Sequence, residues 1–345
     1  MHANLPRYAR FRLVQEMLET PQVVANFDFK QAAEAVAAVR ATGSAFFTGE
    51  GSSRIFPAKN FISTALAQGA GLKMMTDGSR QSAEYDLADL AVFGASNSGK
   101  TKEVVLLFRN LLAQRHRHLF SLSAFADTPL GAASSGGAYV LSCGKEQAVA
   151  ATKSVVEQGL FYHAILDRAT GANKLPGQAK ALARKLRTAL TLAIDPAIVK
   201  KLAKAEVLHW AGRNDGVAEE LTLKTNEITR KRSAYLEGTY AVHGIEEVMS
   251  KGDAVIVVEP FKDEEEKFHE VLVKGVGCTV IALSSRKTCF PTIRIPALPG
   301  LDGYIRLCAG WNLLVEIGLA RKVDLDRTVR ARKVGNELAA TRKPR

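Results

Sequence analysis

Several absences narrow the reading of this 345-residue chain. No apolar run approaches the ~18 residues that a membrane span requires. The opening residues, Met1 to Glu19, are polar and mixed in charge, so neither a secretory signal nor a membrane partner is expected. Cysteine is scarce: Cys143, Cys278, Cys289 and Cys308 stand far apart with no CxxC pair. That spacing excludes a zinc-finger ligand set, offers no disulfide framework, and fits a reducing, cytoplasmic setting. No His/Cys/Asp/Glu cluster suggests a metal, and no cofactor is called for. A dinucleotide fingerprint is incomplete, because Gly49-Glu50-Gly51-Ser52-Ser53-Arg54 lacks the third glycine.

What is present is a globular composition, 47% hydrophobic and 24% charged, long enough for two ordinary domains. The formal net charge is +12, and much of the excess lies between Arg321 and Arg345. A basic balance suits either nucleic acid or an anionic small molecule. With no zinc-finger spacing and no aromatic-interleaved RNA signature, nucleic acid is not expected as a partner.

Hydrophobic patterning predicts helix over residues 7–40, interrupted at Pro21. Strands and helices then alternate. Strands are expected at Ser44 to Thr48, Leu72 to Thr76, Leu90 to Ala95, His118 to Ser123 and Ala138 to Leu141, with a helix from about Phe56 to Gln68. A long helix from Thr152 to Arg168 follows, then a break at Gly171 to Gly177 and a helix from Gln178 to Leu192. A second alternation places strands at Val207 to Ala211, Ala234 to Leu236, Ala254 to Val258, Thr279 to Leu283 and Thr292 to Ile295. Short buried strands between helices indicate an α/β chain with two doubly wound parallel sheets in tandem. The division this implies is an N-terminal helical segment (1–40), a first domain (41–172), a second (178–320) and a basic tail (321–345).

Ser96-Asn97-Ser98-Gly99-Lys100-Thr101 ends the third strand and opens a helix over Glu103 to Leu112. Hydroxyls, backbone N–H groups and the positive end of a helix dipole converge there, which suits a phosphate. A second small-residue loop, Gly51-Ser52-Ser53, follows the first strand. An ordinary N-capped helix start would use the same residue types. The string Gly94 to Thr101 also satisfies G-x-x-x-x-G-K-[ST], the pattern of a nucleotide-binding P-loop. Against that reading, the string follows the third strand rather than the first, and no strand ends in a Walker B aspartate.

Taken in order, these segments resemble the sugar isomerase (SIS) domain family, in particular the isomerase half of glucosamine-6-phosphate synthase and the sugar-amine 6-phosphate deglycases. Ser96 to Thr101 is similar to the family's SxSGxT loop, and Ala150-Ala151-Thr152-Lys153 to its A-S/A-T-K segment. Gly212-Arg213-Asn214-Asp215 resembles its GRGD turn, Leu223 to Ile228 its LKLKEIS helix, and His243-Gly244 its HGP pair. The resemblance covers nearly the whole chain. It implies tandem SIS subdomains, a homodimer, and a sugar phosphate as ligand. It assigns Ser52, Ser53, Ser96, Asn97, Ser98 and Thr101 to the phosphate, with Gly51, Val149 and Ala151 as further substrate contacts. Lys100 occupies the motif's variable slot.

The resemblance also implies Glu227 as the base that moves a proton between C1 and C2, His243 as the group for ring opening or leaving-group protonation, and Lys333 as a tail lysine. The bland alternatives are a surface glutamate flanked by Lys224 and Arg230, a structural loop histidine, and a solvated tail. Departures are evident. Thr239-Tyr240 replaces the family's Gly-Glu, Ile245 replaces the proline, and strict alignment puts Ala331 at the tail-lysine position. The resulting expectation is an enzyme that isomerises an aldose–ketose phosphate or amino-sugar phosphate. A deglycase or deaminase of a phosphorylated sugar–amine adduct and a non-catalytic sugar-phosphate-binding module are the alternatives. With no glutaminase segment or helix-turn-helix ahead of the first sheet, glutamine-driven amination and transcriptional regulation are not expected.

Overall fold

The structure, a computed structural model, describes residues 1–331 and 336–338. It holds two parallel five-stranded sheets. The first comprises β1 (Ser44–Gly49), β2 (Lys73–Gly78), β3 (Ala91–Ala95), β4 (Leu119–Ser123) and β5 (Gly137–Val140), in the order β2-β1-β3-β4-β5. The second comprises β6 (Val207–Gly212), β7 (Arg232–Glu237), β8 (Ala254–Val258), β9 (Thr279–Ser284) and β10 (Thr292–Arg294), in the order β10-β9-β8-β6-β7. Read from β7, that is the first order repeated. The architecture is therefore duplicated, and each sheet reverses direction of build between its first and third strands. Such switch points place a crevice beyond the carboxyl ends of those two strands.

Two compact units are built on these sheets. One contains Phe27–Glu146, Ser154–Pro176 and the described residues after Val329; the other contains Met1–Asn26, Gln147–Lys153 and Gly177–Val329. In the β1–β5 unit, Phe47, Phe93 and Phe120 lie side by side in register on the three central strands, with ring centroids 5.2 and 5.1 Å apart. Tyr162, on the helix Lys153–Ala169, meets Phe47 at 4.6 Å. Each aromatic pair contributes about 0.5–1.5 kcal/mol beyond its area, and together they fix the register that levels the strand ends. In the β6–β10 unit the helix Asp302–Ala320 is buried along most of its length, with Trp311 fully enclosed.

The predicted strands are all present, with ends shifted by at most two residues. Two expectations are corrected. Pro21 does not interrupt the first long helix, which runs Arg12–Ala25 with Pro21 inside it. One lost N–H bond is outweighed there by burial of Leu13, Met17 and Val24. The expected break at Gly171 to Gly177 is shorter, because the next helix is Leu175–Thr191 and Pro176 sits in its first turn, where its missing N–H costs nothing.

Candidate functional site

In the β1–β5 unit, Gly49 pairs with Ala95, so the loops after β1 and β3 leave the sheet at one level. They approach so closely that a Cβ on Gly49 would lie 2.9 Å from the Ala95 carbonyl oxygen. Glycine is required there by the approach of backbones rather than by φ. Gly51–Ser53 forms a tight 3₁₀ turn before the helix Ile55–Ala67, with Ser52 buried. Across the crevice, Ser96 is buried and its Oγ lies 2.8 Å from Thr101 Oγ1 and 3.5 Å from Ser98 Oγ. The Lys100 amide donates to Ser98 Oγ at 3.2 Å. Gly99 adopts φ +64°, and a Cβ there would strike Thr128. Asn97 Nδ2 has no partner, and Gln158 reaches Ser53 Oγ at 3.5 Å. The structure thus gathers Gly51, Ser52, Ser53, Ser96, Asn97, Ser98 and Thr101 around one switch-point crevice.

Thr101 stands at the N-cap of the helix Lys102–Ala113 without making a side-chain cap bond; its hydroxyl is turned to Ser96 instead. Simple capping therefore does not account for these hydroxyls. The P-loop reading also loses its first glycine. Gly94 lies within β3, and a Cβ there would sit 2.5 Å from the Phe108 ring. It is a packing glycine of a strand, whereas a P-loop needs that residue in the phosphate cradle. The chain's last described residues return to this loop. Asn336 carbonyl accepts the Lys102 amide at 3.0 Å, Leu338 donates to the Lys100 carbonyl at 3.0 Å, and Glu337 bridges Thr101.

In the β6–β10 unit, Glu227 lies on a π-helical turn, Thr225–Thr229, that continues the helix Val217–Lys224 and ends at Arg230 with φ +58°. Insertions of this kind often mark functional positions. Thr225 is held by the Trp210 indole N–H at 2.7 Å. Lys224 is fully buried, and its Nζ lies 2.7 Å from Glu227 Oε2 and 3.3 Å from Glu220 Oε1. Burial works against its charge, but Glu227 and Glu220 outweigh that and raise its pKa. Glu220 is buried and Glu227 keeps 29% of its side chain exposed. The lysine therefore faces inward as a fixed cation, and Glu227 carries the pair to the surface. The alternative of a surface glutamate flanked by Lys224 does not hold, since Lys224 is fully buried. The available signal was spacing, since Glu220 and Glu227 fall at i−4 and i+3 of Lys224 on one face.

The crevice of the second sheet is filled by charge. Arg213, after β6, stacks 4.1 Å over Phe261 and donates to the Glu259 carbonyl. Glu259, after β8, holds φ +47°, and its carboxylate accepts from Ser284 Oγ and the Ser285 amide, both at 2.9 Å. Arg306 lies 3.7 Å from Glu259 and 3.8 Å from Asp215. Desolvation raises the pKa of buried Asp215, offset in part by the Val217 amide it accepts and by Arg306. Arg213 and Asp215 belong to the GRGD-like turn read from the sequence, whereas Glu259 and Arg306, up to ninety residues away, carry no local motif.

His243 is exposed at the end of the 3₁₀ turn Tyr240–Val242, and no hydrogen bond joins it to Glu227. Val149 and Ala151 are half-buried in the segment 147–153, alternating with buried Ala148, Ala150 and Thr152. Lys333 lies outside the described residues. Among the described residues, no cluster of His, Cys, Asp or Glu could hold a metal, no helix is long and apolar enough to cross a membrane, and all four cysteines are free.

No protein-family model matches the sequence, and neither does any curated protein sequence. Solved structures do match the fold. The C-terminal domain of glucosamine-fructose-6-phosphate aminotransferase from Francisella tularensis superposes with TM-score 0.78 at 17% identity, over 92% of this chain and 98% of that one. Tagatose-6-phosphate ketose/aldose isomerase from Escherichia coli gives 0.75 at 16%, over 94% and 98%. Glucosamine-6-phosphate deaminase from Thermotoga maritima gives 0.71 at 18%, over 94% and 99%. The chain has the tandem SIS fold that these phosphosugar enzymes share.

Proposed function

We propose that this protein is an aldose–ketose isomerase of a sugar phosphate or amino-sugar phosphate. The observation that carries the reading is the Lys224–Glu227 pair, a carboxylate at the surface charge-paired to a fully buried ammonium. Such a carboxylate is fixed in position, remains accessible, and can take and return a proton. In the proposed reaction, Glu227 removes the proton from C1 of the ketose or C2 of the aldose. The C–H electron pair becomes the C1–C2 double bond while the carbonyl π pair moves onto its oxygen, giving an enediolate. The proton on Glu227 then returns to the neighbouring carbon, and the hydroxyl proton on the first carbon passes through solvent water to the former carbonyl oxygen, leaving the new carbonyl in its place. Ser52, Ser53, Ser96, Asn97, Ser98 and Thr101 are assigned to the phosphate, and His243 to opening of the sugar ring. A homodimer acting in the cytoplasm belongs to the same reading; sedimentation equilibrium tests the dimer.

Fructose 6-phosphate incubated with the protein in D₂O is expected to gain deuterium at C1, followed by NMR. Glu227→Gln is expected to reduce the rate at least 100-fold while phosphate affinity is kept. Full exchange by the variant would remove Glu227 from the mechanism. A deglycase or deaminase reading draws support from the fold shared with the T. maritima deaminase. It is separated by ammonia or amine release from glucosamine 6-phosphate and fructosamine 6-phosphate, which the isomerase reading does not produce.

A further inference from the structure

The β6–β10 unit carries a cavity of about 960 Å³, a volume in the range of small-molecule sites. Lys204, on its rim, precedes β6 by three residues, and Lys231 directly precedes β7, which puts the cavity at the amino ends of these strands. The charged crevice of the same sheet lies beyond their carboxyl ends. Leu192, Ile194, Val199 and Leu319 form an apolar wall, supplied by the helix Pro196–Lys204, the chain before it and the end of the helix Asp302–Ala320. The charge is one-sided. Five Lys and Arg residues line the cavity against one carboxylate, and that carboxylate is already occupied. Glu316 pairs with Arg7 at 2.6 Å and accepts the Tyr8 hydroxyl.

The other cations lack counter-ions. Among the described residues, none of Arg10, Lys200, Lys204, Lys231 or Arg321 forms an ion pair. Lys200 and Lys204 are exposed and stand four residues apart on one helix, where like charges destabilise. The helix dipole accounts for Lys204 in the last turn but not for Lys200 in the turn before it. Arg321 and Lys231 both donate to the Ala203 carbonyl, each at 3.2 Å. Lys231 is buried, and that burial, followed by the nearby Arg321, lowers its pKa. Five cations against one carboxylate exceed what the roughly two negative charges of a single phosphate would balance. The excess selects linked phosphates, and the apolar wall selects a ligand with an apolar body.

We propose that this cavity binds a small organic polyphosphate, with its phosphates on Lys200, Lys204 and Arg321 and its apolar body on Leu192, Ile194, Val199 and Leu319. The site is separate from the sugar-phosphate reading and stands without it.

Calorimetric titration with magnesium-free ATP, tripolyphosphate and adenosine tests the proposal. ATP is expected to bind about fivefold more tightly than tripolyphosphate, because only ATP covers the apolar wall. Lys200→Ala combined with Lys204→Ala should weaken both polyphosphates about tenfold without lowering the melting temperature, and the paired Lys→Arg replacements should keep affinity within about twofold. Leu319→Ala should weaken ATP about fivefold and leave tripolyphosphate unchanged. Lys262→Ala combined with Lys274→Ala, which removes two exposed cations outside the cavity, should change neither. An equal loss from that control pair would reduce the binding to general surface charge and overturn the proposal. ATP binding abolished by Ser96→Ala but kept in the Lys200/Lys204 variant would put the ligand in the first crevice and overturn it as well. So would a wild type that binds neither polyphosphate.

Discussion

Lys224 concentrates the energetic risk of the molecule at one side chain. Its removal strips the cation from buried Glu220 and from Glu227. Lys224→Met is expected to destabilise by about 3–5 kcal/mol, as breaking buried ion pairs does, and adding Glu220→Leu should recover part of that loss, both read from urea midpoints. His163 carries a different sensitivity. It is buried against Thr64 Oγ1 at 3.1 Å, and desolvation lowers its pKa to about 4 from the usual 6.5. Above pH 6.5 it is neutral in both folded and unfolded states and contributes no pH dependence. As pH falls from 6.5 to 4 the unfolded chain takes up a proton that the folded one refuses, so stability declines by about 3 kcal/mol. His163→Gln should flatten the urea midpoint across that window. Individual roles of this kind were poorly legible in the sequence. Glu227 is singled out by the resemblance, and the spacing of Glu220 and Glu227 places both beside Lys224, but that spacing is the same for a buried lysine as for a solvated one, because burial depends on packing against residues far away in the chain.

The elements themselves were legible. Parallel strands buried on both faces appear as short apolar runs such as Ala91–Ala95 and Ala254–Val258, and helix intervals between them force the crossovers. The strand order seen in the structure then places the Ser96–Thr101 loop at a switch point. What could not be read was the difference between the two equivalent crevices. One is lined by hydroxyls, the other by the charges of Arg213, Glu259 and Arg306. The duplicated fold thus lines its first crevice with hydroxyls and its second with paired charges. Gly94 gives the sharpest element-scale prediction. Gly94→Ala would press a methyl group into the Phe108 ring and should cost about 1–3 kcal/mol by overpacking. Phosphate affinity, measured by calorimetry below the lowered melting temperature, should stay within twofold. A large loss of affinity would instead restore the P-loop reading.

At the scale of the whole molecule, the two units are not two consecutive stretches of chain. The polypeptide enters the β6–β10 unit at its start, leaves it at Phe27, returns for Gln147–Lys153, and settles there only from Gly177. A division drawn along the sequence, with a helical prefix, two domains and a tail, follows the sheets but not this interlacing, since nothing local in residues 1–26 says which sheet they will serve. A fragment spanning 177–345 would lack the helix that buries Leu13, Met17 and Val24. It is expected to aggregate when expressed alone, with light scattering falling when a peptide of residues 1–26 is supplied. A stable monodisperse fragment would show that the helix is dispensable.

The amides of Arg12 and Leu13 open that helix without a local cap and donate to Asp326, at 2.7 and 2.8 Å, across 314 and 313 residues of sequence. On a ribosome adding roughly 5–20 residues per second, this helix waits tens of seconds for the carboxylate that secures its first turn. The order in which these residues are made, and not only the finished energy balance, therefore bears on how the first turn of this helix is secured.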